Sequence, residues 1–417
     1  TTNYNVSAHV ARTIDSLRHV PSADIVIVGA GPAGTSAAIH AVNSGLSAIV
    51  IDKAHFPRDK CCGDGLTALA LRELQLLGFE PPADEQWQTI NGIQIRSPNG
   101  REIRLQLPQG RGDYAAVVPR SILDSQLVDL ASSAGAQISQ GTVFKGITEK
   151  NGYTEVLIEG QESIKTRNLV AADGMWSPVR KSLGAVKQSY LGDWHAFRQY
   201  FTATGDRSRD LWVWFEPDLL PGYAWSFPLA DGKVNVGFGV MRKENLKGRD
   251  LQQIWANLLD RPHIREVLGS TTPDGPYKAW PIPSRLTSMS LHKGPALFVG
   301  DAAAAADPMT GEGIGQALET GRLAATAIAE GGTLQEIAKQ YERSVRRSMH
   351  SDHRLAKVLN VALSHKQITN ASLKIIDASN WSRRHFARWM FEDYPRAAML
   401  TPRRWNRASF PLTGAWK

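Results

Sequence analysis

Cysteine is almost missing from this chain: there are two among 417 residues, the neighbours Cys61 and Cys62. Adjacent cysteines do not meet disulfide geometry without strain, so a disulfide framework is excluded. Long apolar runs are missing too. No stretch reaches the length of a membrane span, and residues 1–20 lack the uninterrupted apolar core of a signal peptide, which leaves a cytoplasmic address as the expectation. His55 and His195 stand alone without ligand-spaced partners, so they read as structural or surface groups and no metal site is expected. There is no internal repeat at solenoid periods and no low-complexity tract. Acidic residues fall short of basic ones, 40 against 48, and the shortfall is local. From Tyr341 to Lys417 there are 15 Lys plus Arg and 5 Asp plus Glu, so the remainder is close to neutral and a nucleic-acid partner is not expected. With 42% hydrophobic and 21% charged residues, what is left is a globular chain long enough for two or three domains.

What is there is organised around Asp24 to Gly34, DIVIVGAGPAG. Four β-favouring residues, Ile25 to Val28, run into a glycine turn, and small residues Thr35 to Ala38 follow, which reads as strand, tight turn and helix. Gly29 makes the turn, Gly31 lets backbone approach a pyrophosphate, and Gly34 lets helix pack on strand, with Ala33 between them. The anion then sits on the helix N-terminus. A second strand, Ala48 to Ile51, ends in Asp52 and Lys53, and the Asp52 carboxylate is placed to accept from ribose hydroxyls.

Residues 1–22 carry no strong period and read as an extension or a short leading helix. After the dinucleotide unit comes a polar, Gly-rich loop from Lys53 to Thr67, then helical periodicity from Ala68 to Leu77. Residues 90–107 alternate as strands about an Asn99-Gly100 turn, Pro119 to Leu127 opens a helix, and Ile138 to Gly160 alternates again. Asn168 to Gly174 reads as a short buried strand closing on Asp173-Gly174, with Ser177 and Arg180 beyond it. Residues 190–240 are strand-like and carry Trp194, Trp212, Trp214 and Trp225, which suits an antiparallel sheet with aromatics on one face. Ala296 to Asp301 is another buried strand, leading through Pro308-Met309-Thr310-Gly311-Glu312-Gly313 into a helix from Gln316 to about Glu330, and the rest is helical and basic.

Three separated signatures, GAGPAG, Asp173-Gly174-x-x-Ser177-x-x-Arg180, and Gly300-Asp301 with Pro308-x-x-Gly311-Glu312-Gly313, together resemble the FAD-binding domain of the para-hydroxybenzoate hydroxylase-like flavoproteins. Two further segments narrow the family. Phe56 to Thr67, FPRDKCCGDGLT, is similar to the FPRDKPCGDGLT segment of geranylgeranyl reductases, above all the actinobacterial menaquinone reductase branch, and Pro221 to Pro228, PGYAWSFP, is similar to their PxxYxWxFP element. Cys61 departs from the usual proline, so only Cys62 matches the family cysteine. The resemblance covers roughly residues 23–330. It implies an α/β fold in which a Rossmann-like FAD-binding domain (22–88, 111–185, 286–334) is interleaved with an antiparallel-sheet substrate domain (89–110, 186–285), with a basic helical region at 335–417.

The resemblance implies FAD as cofactor. Its contacts would come from Gly29, Gly31, Ala33, Gly34, Asp52 and Lys53, from Cys62, Gly63, Asp64 and Gly65, from Arg120 and Asp173, and from Gly300, Asp301, Pro308, Gly311, Glu312, Gly313 and Ile314. Asp301 would sit near the ribityl and pyrophosphate, and the helix from Gly313 would aim its N-terminus at the pyrimidine end. Asp173 and Arg180 have a second reading, as a brace of the domain connection. There is no second Gly-rich nucleotide unit, so the electron donor is open among NAD(P)H, ferredoxin and other reduced carriers.

The implied activity is saturation of carbon-carbon double bonds in a polyprenyl chain, the side chain of menaquinone or a geranylgeranyl lipid, with Cys62, Asp64, Tyr223 and Trp225 as catalytic candidates. Tyr223, Trp225 and Phe227 alternate and so share a face, fit to line an isoprenoid tunnel or simply to fill a sheet core. Cys62 is either functional or an inert buried thiol, and Asp64 or a bound water is a candidate proton donor. Two rivals stand beside the reductase: an FAD-dependent aromatic monooxygenase or halogenase, and a non-catalytic FAD-binding membrane-associated protein. In the tail, Trp381, His385 and Trp389 recur at helical spacing beside Arg383, Arg384 and Arg388, with Trp405 and Trp416 beyond. That stripe suits either a peripheral membrane contact on the inner face of the cell membrane or packing on the FAD domain.

Overall fold

The computed structural model describes residues 21–82, 85–150, 152–186, 190–243, 248–402 and 413–417; the leading segment and Trp405 lie outside them. Ser22–Val28 runs parallel to Ala48–Ile51 on one side and to Ile164–Ala171 on the other. Ala296–Phe298 adds a further parallel strand next to Ile164–Ala171, and Gln137–Ser139 extends the other edge. Strands covered on both faces need apolar residues at every position, which is why Ile25 to Val28 and Ala48 to Ile51 read as runs and are fully buried. The helices Pro32–Asn43 and Ile314–Ala329 pack together over this sheet. They approach closely because a Cβ on Gly321 would lie 2.2 Å from the Ala33 carbonyl oxygen.

The second sheet has seven strands in the order Thr271–Ile282, Trp194–Ala203, Lys233–Met241, Tyr223–Pro228, Leu211–Trp214, Gly92–Arg96, Glu102–Gln106. Two expectations change here. The pair Leu211–Trp214 and Gly92–Arg96 is parallel, so the sheet is not wholly antiparallel. A short hairpin forces reversal, as at Asn99-Gly100, but strands more than a hundred residues apart are free to run either way.

The aromatics also occupy both faces. Trp225 lies opposite Val213, whereas Trp214 lies opposite Ala224, so the Trp212 and Trp214 side chains must point away from the side of Trp225. Trp212 and Trp214 stack at 5.6 Å in a core with Phe197, Phe238 and Trp255. Tyr223, Trp225 and Phe227 face the other way, toward the first sheet.

Three helices follow, Leu334–Leu363, Lys366–Ile376 and Asn380–Met390, the first opened by a capping box between Thr333 and Glu336. The last packs on the strand Glu102–Gln106 of the second sheet, and at its C-terminal end the Phe391 carbonyl accepts from Ala68 N–H of the helix Ala68–Leu76 at 2.9 Å. The inward residues of Asn380–Met390 are Phe386, Ala387 and Met390 rather than the Trp381, His385, Trp389 stripe. Trp381 is 72% exposed and lies against His385, while Arg383 and Arg388 pair with Asp377 and Asp393. At the end of the chain, Trp416 packs edge-on to Trp87 and donates to the Phe79 carbonyl at 3.0 Å.

Candidate active site

The two sheets enclose one cavity of about 710 Å³ that runs from the glycine turn to the aromatic strand Tyr223–Pro228. At the first end, Gly29 (φ +106) lies so close to the Ile164–Ala171 strand that a Cβ would sit 2.3 Å from the Ala172 carbonyl oxygen. Gly31 is different: nothing but the Arg58 guanidinium, 3.5 Å away, lies within 4 Å of where its Cβ would be. Gly34 is absent from the wall, because its role is packing; a Cβ there would meet the Gly29 carbonyl oxygen at 1.8 Å. Asp52 lines the cavity next to Lys53, and its two oxygens accept from Ala30 N–H and Ala54 N–H, each at 2.8 Å. It therefore pins the glycine turn to the second strand while still facing the cavity.

Arg120 opens the helix Arg120–Ser133 and is gripped at both nitrogens by Asp124, four residues on, at 2.7 and 2.8 Å. Arg58 reaches the same carboxylate at 3.1 Å. One buried acid thus aims two guanidinium groups at one wall. Asp173 lines the cavity with one oxygen bound to Val179 N–H and the other unpartnered, and burial pushes its carboxyl up to about 6. Arg180 does not pair with it. Its guanidinium donates to the carbonyls of Ser290, Ala302 and Ala185, so Arg180 is a brace.

Gly300 and Asp301 line the wall at the turn after Ala296–Phe298, followed by Gly311, Glu312, Gly313 and Ile314. Pro308 does not reach the cavity; its carbonyl accepts from the Trp194 indole at 3.1 Å and from Asn360, which holds the loop in place. The helices starting at Pro32 and at Ile314 both have glycine at the N-cap and no side-chain cap, and both start at the cavity wall. Two helix N-termini with free N–H groups, two aimed arginines and an open position at Gly31 fit a long anionic dinucleotide such as FAD. Gly29, Gly31, Arg58, Arg120, Asp301 and the backbone of the Gly311–Ile314 turn would hold it.

At the far end the aromatic strand lies against the Cys62-Gly63-Asp64-Gly65 loop. A Cβ on Gly63 would be 3.4 Å from Phe227 and 3.6 Å from Trp225, so glycine is what lets loop and rings touch. Asp64 is wholly buried and away from the cavity, contrary to its expected place. Its backbone is left-handed (φ 64), and its carboxylate accepts from Tyr200 at 2.6 Å and from Asn235 at 2.8 Å. Burial still pushes it up to about 6. With both partners committed to holding it, Asp64 ties the loop to the second sheet and is not positioned to give a proton to a ligand. Cys62 does face the cavity, half-buried, and burial pushes its thiol up, as it pushes Cys61 up to about 11. Thiols raised in this way favour the protonated form, the opposite of an activated thiolate.

Several wall residues had no sequence signal of their own. Arg198 and Trp280 are such residues: Arg198 is buried and paired with Asp59, and the Trp280 ring lies 3.9 Å from Lys60, Asp59 and Lys60 belonging to the Phe56–Thr67 segment, and all four are on the wall. Trp194 was part of the tryptophan-rich block, but Trp280 sits in a proline-interrupted strand without a readable period. Gly239, directly opposite Tyr223, has nothing within 4 Å of its would-be Cβ and leaves a gap in the wall.

Comparison with known proteins gives matching results at three levels. The model of the FAD binding domain family matches residues 22–350. A menaquinone reductase of Mycolicibacterium smegmatis is 33% identical over 330 residues, 74% of this chain and 77% of that protein. A digeranylgeranylglycerophospholipid reductase of Methanopyrus kandleri is 29% identical over 334 residues, 76% of this chain and 84% of that one. The crystal structure of a geranylgeranyl bacteriochlorophyll reductase-like protein from Thermoplasma acidophilum superposes with a TM-score of 0.75 at 22% identity, covering 86% of this chain and 92% of that one.

Proposed function

The chain belongs to the FAD binding domain family and is an FAD-dependent oxidoreductase of the geranylgeranyl reductase type, and from that premise we propose that it saturates double bonds in the isoprenoid side chain of menaquinone. The observation that carries the reading is the continuity of the cavity: the strand Tyr223–Pro228 presents Tyr223, Trp225 and Phe227 to the same space as the dinucleotide cradle.

When bound, reduced FAD supplies the hydride equivalent. The chain supplies everything else. Arg58, Arg120 and the two uncapped helix ends hold anionic groups, and the aromatic rings offer an apolar surface along which an isoprenoid can be fixed and kept dry. Trp225 is itself fixed by its indole N–H to Asn235 at 3.2 Å, and Tyr223 by donation to the Thr310 carbonyl. Rings so held orient an alkene instead of yielding to it. Cys62, with its thiol pushed up by burial, is a reluctant proton donor. Mass spectrometry of FAD-loaded, dithionite-reduced protein with menaquinone, geranylgeranyl diphosphate or an unsaturated archaeal-type ether lipid tests the reading. Menaquinone is expected to gain one pair of hydrogens per double bond reduced, and gain by another lipid alone would overturn the substrate choice.

A bilayer-dissolved substrate has to be collected from a membrane. Among the described residues no helix is long and apolar enough to cross one. The exposed apolar residues Val358, Val361, Ile368, Ile375 and Trp381 come from three consecutive helices, and Lys366, Lys374 and Arg384 lie among them, exposed. We read this face as the one resting on anionic lipid. The protein is expected to sediment with anionic vesicles, and an Ile368→Asp, Ile375→Asp double variant to stay in the supernatant while still reducing a short, water-soluble prenyl analogue. Equal sedimentation of the two would overturn it.

A further inference from the structure

Behind the Pro308–Gly313 loop lies a polar cluster that cofactor binding does not use. Asp307 pairs with Arg396, and Arg396 also approaches Glu392 at 3.5 Å. Glu392, in left-handed backbone (φ 57), accepts from Thr67 at 2.9 Å and from Gln316 at 2.7 Å. His353 is 2% exposed, and neither of its ring nitrogens has a partner; Nε of Arg396, Oδ1 of Asn360 and Oε1 of Gln316 are likewise buried without one. The cluster is thus buried, charged and only partly paired, and Glu312, on the cavity wall, feels the charge of Glu392, Arg396 and Asp307 behind it.

Glu312 is on the cavity wall, with Oε1 3.9 Å from where a Gly65 Cβ would be, and among the described residues its carboxyl has no hydrogen-bond partner. A purely structural acid would be expected to have one. We propose that Glu312 is the acid of the reaction, giving its proton to the alkene carbon that does not receive hydride, and that Glu392 and Arg396 behind it set the charge under which it holds that proton.

This rests on the polyprenyl-reductase reading. The π bond of the alkene breaks; one new C–H bond takes the hydride equivalent and its electron pair from the reduced cofactor, and the other takes the Glu312 proton, whose O–H electron pair stays on the carboxylate. The charges facing Glu312 suit the role. Burial, then the like charge of Glu392, raises it to about 8, with Arg396 opposing and Asp307 adding, so it holds a proton at neutral pH. Cys62 and Tyr223 face it from the other side, both as neutral acids, and His353, kept neutral by burial, sits behind Asp307. Glu392 is itself raised to about 7, first by burial, and Thr67 and Gln316 hold it in place behind Glu312.

Glu312→Gln, Glu312→Asp and Glu392→Gln are compared with wild type as FAD-loaded proteins. Glu312→Gln is expected to bind FAD within about threefold and be reduced by dithionite normally, but to form product about 10²–10⁴-fold more slowly. Glu312→Asp should recover part of the rate. Wild-type turnover should fall as pH rises through about 8, because the donor is then ionised. In Glu392→Gln that limb should move to lower pH, since the like charge that holds Glu312 up is gone. Infrared spectra of the oxidised holoprotein at neutral pH should show a protonated-carboxyl stretch that Glu312→Gln lacks. Wild-type rate in Glu312→Gln, loss of FAD from it, or an unchanged infrared band would overturn the proposal. If wild type itself reduces no polyprenyl lipid, the reductase reading fails instead, and the infrared band still decides whether Glu312 holds the proton.

Discussion

Gly31→Ala is expected to yield a folded protein that has lost its flavin. The backbone at Gly31 (φ −76, ψ −175) is one that alanine adopts freely, and the nearest atom to the new methyl is the mobile end of Arg58 at 3.5 Å. The fold therefore has little reason to object. The methyl does, however, stand in the cavity at the uncapped N-terminus of the helix Pro32–Asn43, where a pyrophosphate must come within hydrogen-bond distance of backbone N–H groups. Lengthening charge-assisted bonds of that kind by the size of a methyl costs about 3–4 kcal/mol, or roughly 10²–10³-fold in affinity. Gly34→Ala should behave in the opposite sense, because its methyl would meet the Gly29 carbonyl oxygen at 1.8 Å and force the turn itself to move. Flavin absorbance after dialysis, read beside thermal unfolding, separates the two. A Gly31→Ala protein that keeps FAD at wild-type affinity would mean that the pyrophosphate does not lie on this turn.

That contrast shows what kind of information the sequence carries. Glycines, buried runs and turn signals are local, so the strand, turn and helix from Asp24 onward and the Asn99-Gly100 hairpin were legible from residue order alone. The direction of the Leu211–Trp214 strand beside Gly92–Arg96 was not, since it depends on a pairing across more than a hundred residues. The tryptophans misled for a related reason. Alternation says which residues share a face, but which face meets the cavity is decided by neighbours, and Trp212 and Trp214 pack beneath Trp255 while Trp225 faces the cavity. In the C-terminal region the regular aromatic spacing of Trp381, His385 and Trp389 drew attention from the smaller Ala387, the residue on that helix that is buried outright.

Asp64 and Glu312 illustrate the same limit at the site. Both are acids in Gly-rich motifs, and nothing in their spacing distinguishes them. The structure does: Asp64 has Tyr200 and Asn235 on its oxygens and is sealed from the cavity, whereas Glu312 faces the cavity with its carboxyl free of partners among the described residues. A carboxyl that is already satisfied anchors; one that is desolvated and unsatisfied is poised to exchange its proton. The tail contributes to this difference, since Glu392 and Arg396, beyond the last long helix, set the charge around Glu312.

Gly239→Leu tests where the polyprenyl chain runs. Gly239 lies in the strand Lys233–Met241, between Tyr223 on one neighbour and Ala196 on the other, on the face turned to the cavity. Nothing is within 4 Å of its would-be Cβ, so the first atom of a leucine side chain there displaces no packed atom. Gly237, two residues earlier, allows no such change, because its Cβ would be 2.3 Å from both the Phe197 carbonyl oxygen and the Trp225 ring. In Gly239→Leu, kcat/KM for a long polyprenyl substrate is expected to fall by about 10²-fold or more, near 3 kcal/mol, because on the proposed path of the chain the side chain takes up the space beside Tyr223. FAD affinity should be kept, since the cradle is on the opposite sheet, and a short prenyl analogue should lose less than the long chain. Unchanged turnover would show that the chain does not pass along Tyr223 and Gly239, whereas release of FAD would place the cofactor, not the lipid, against this strand.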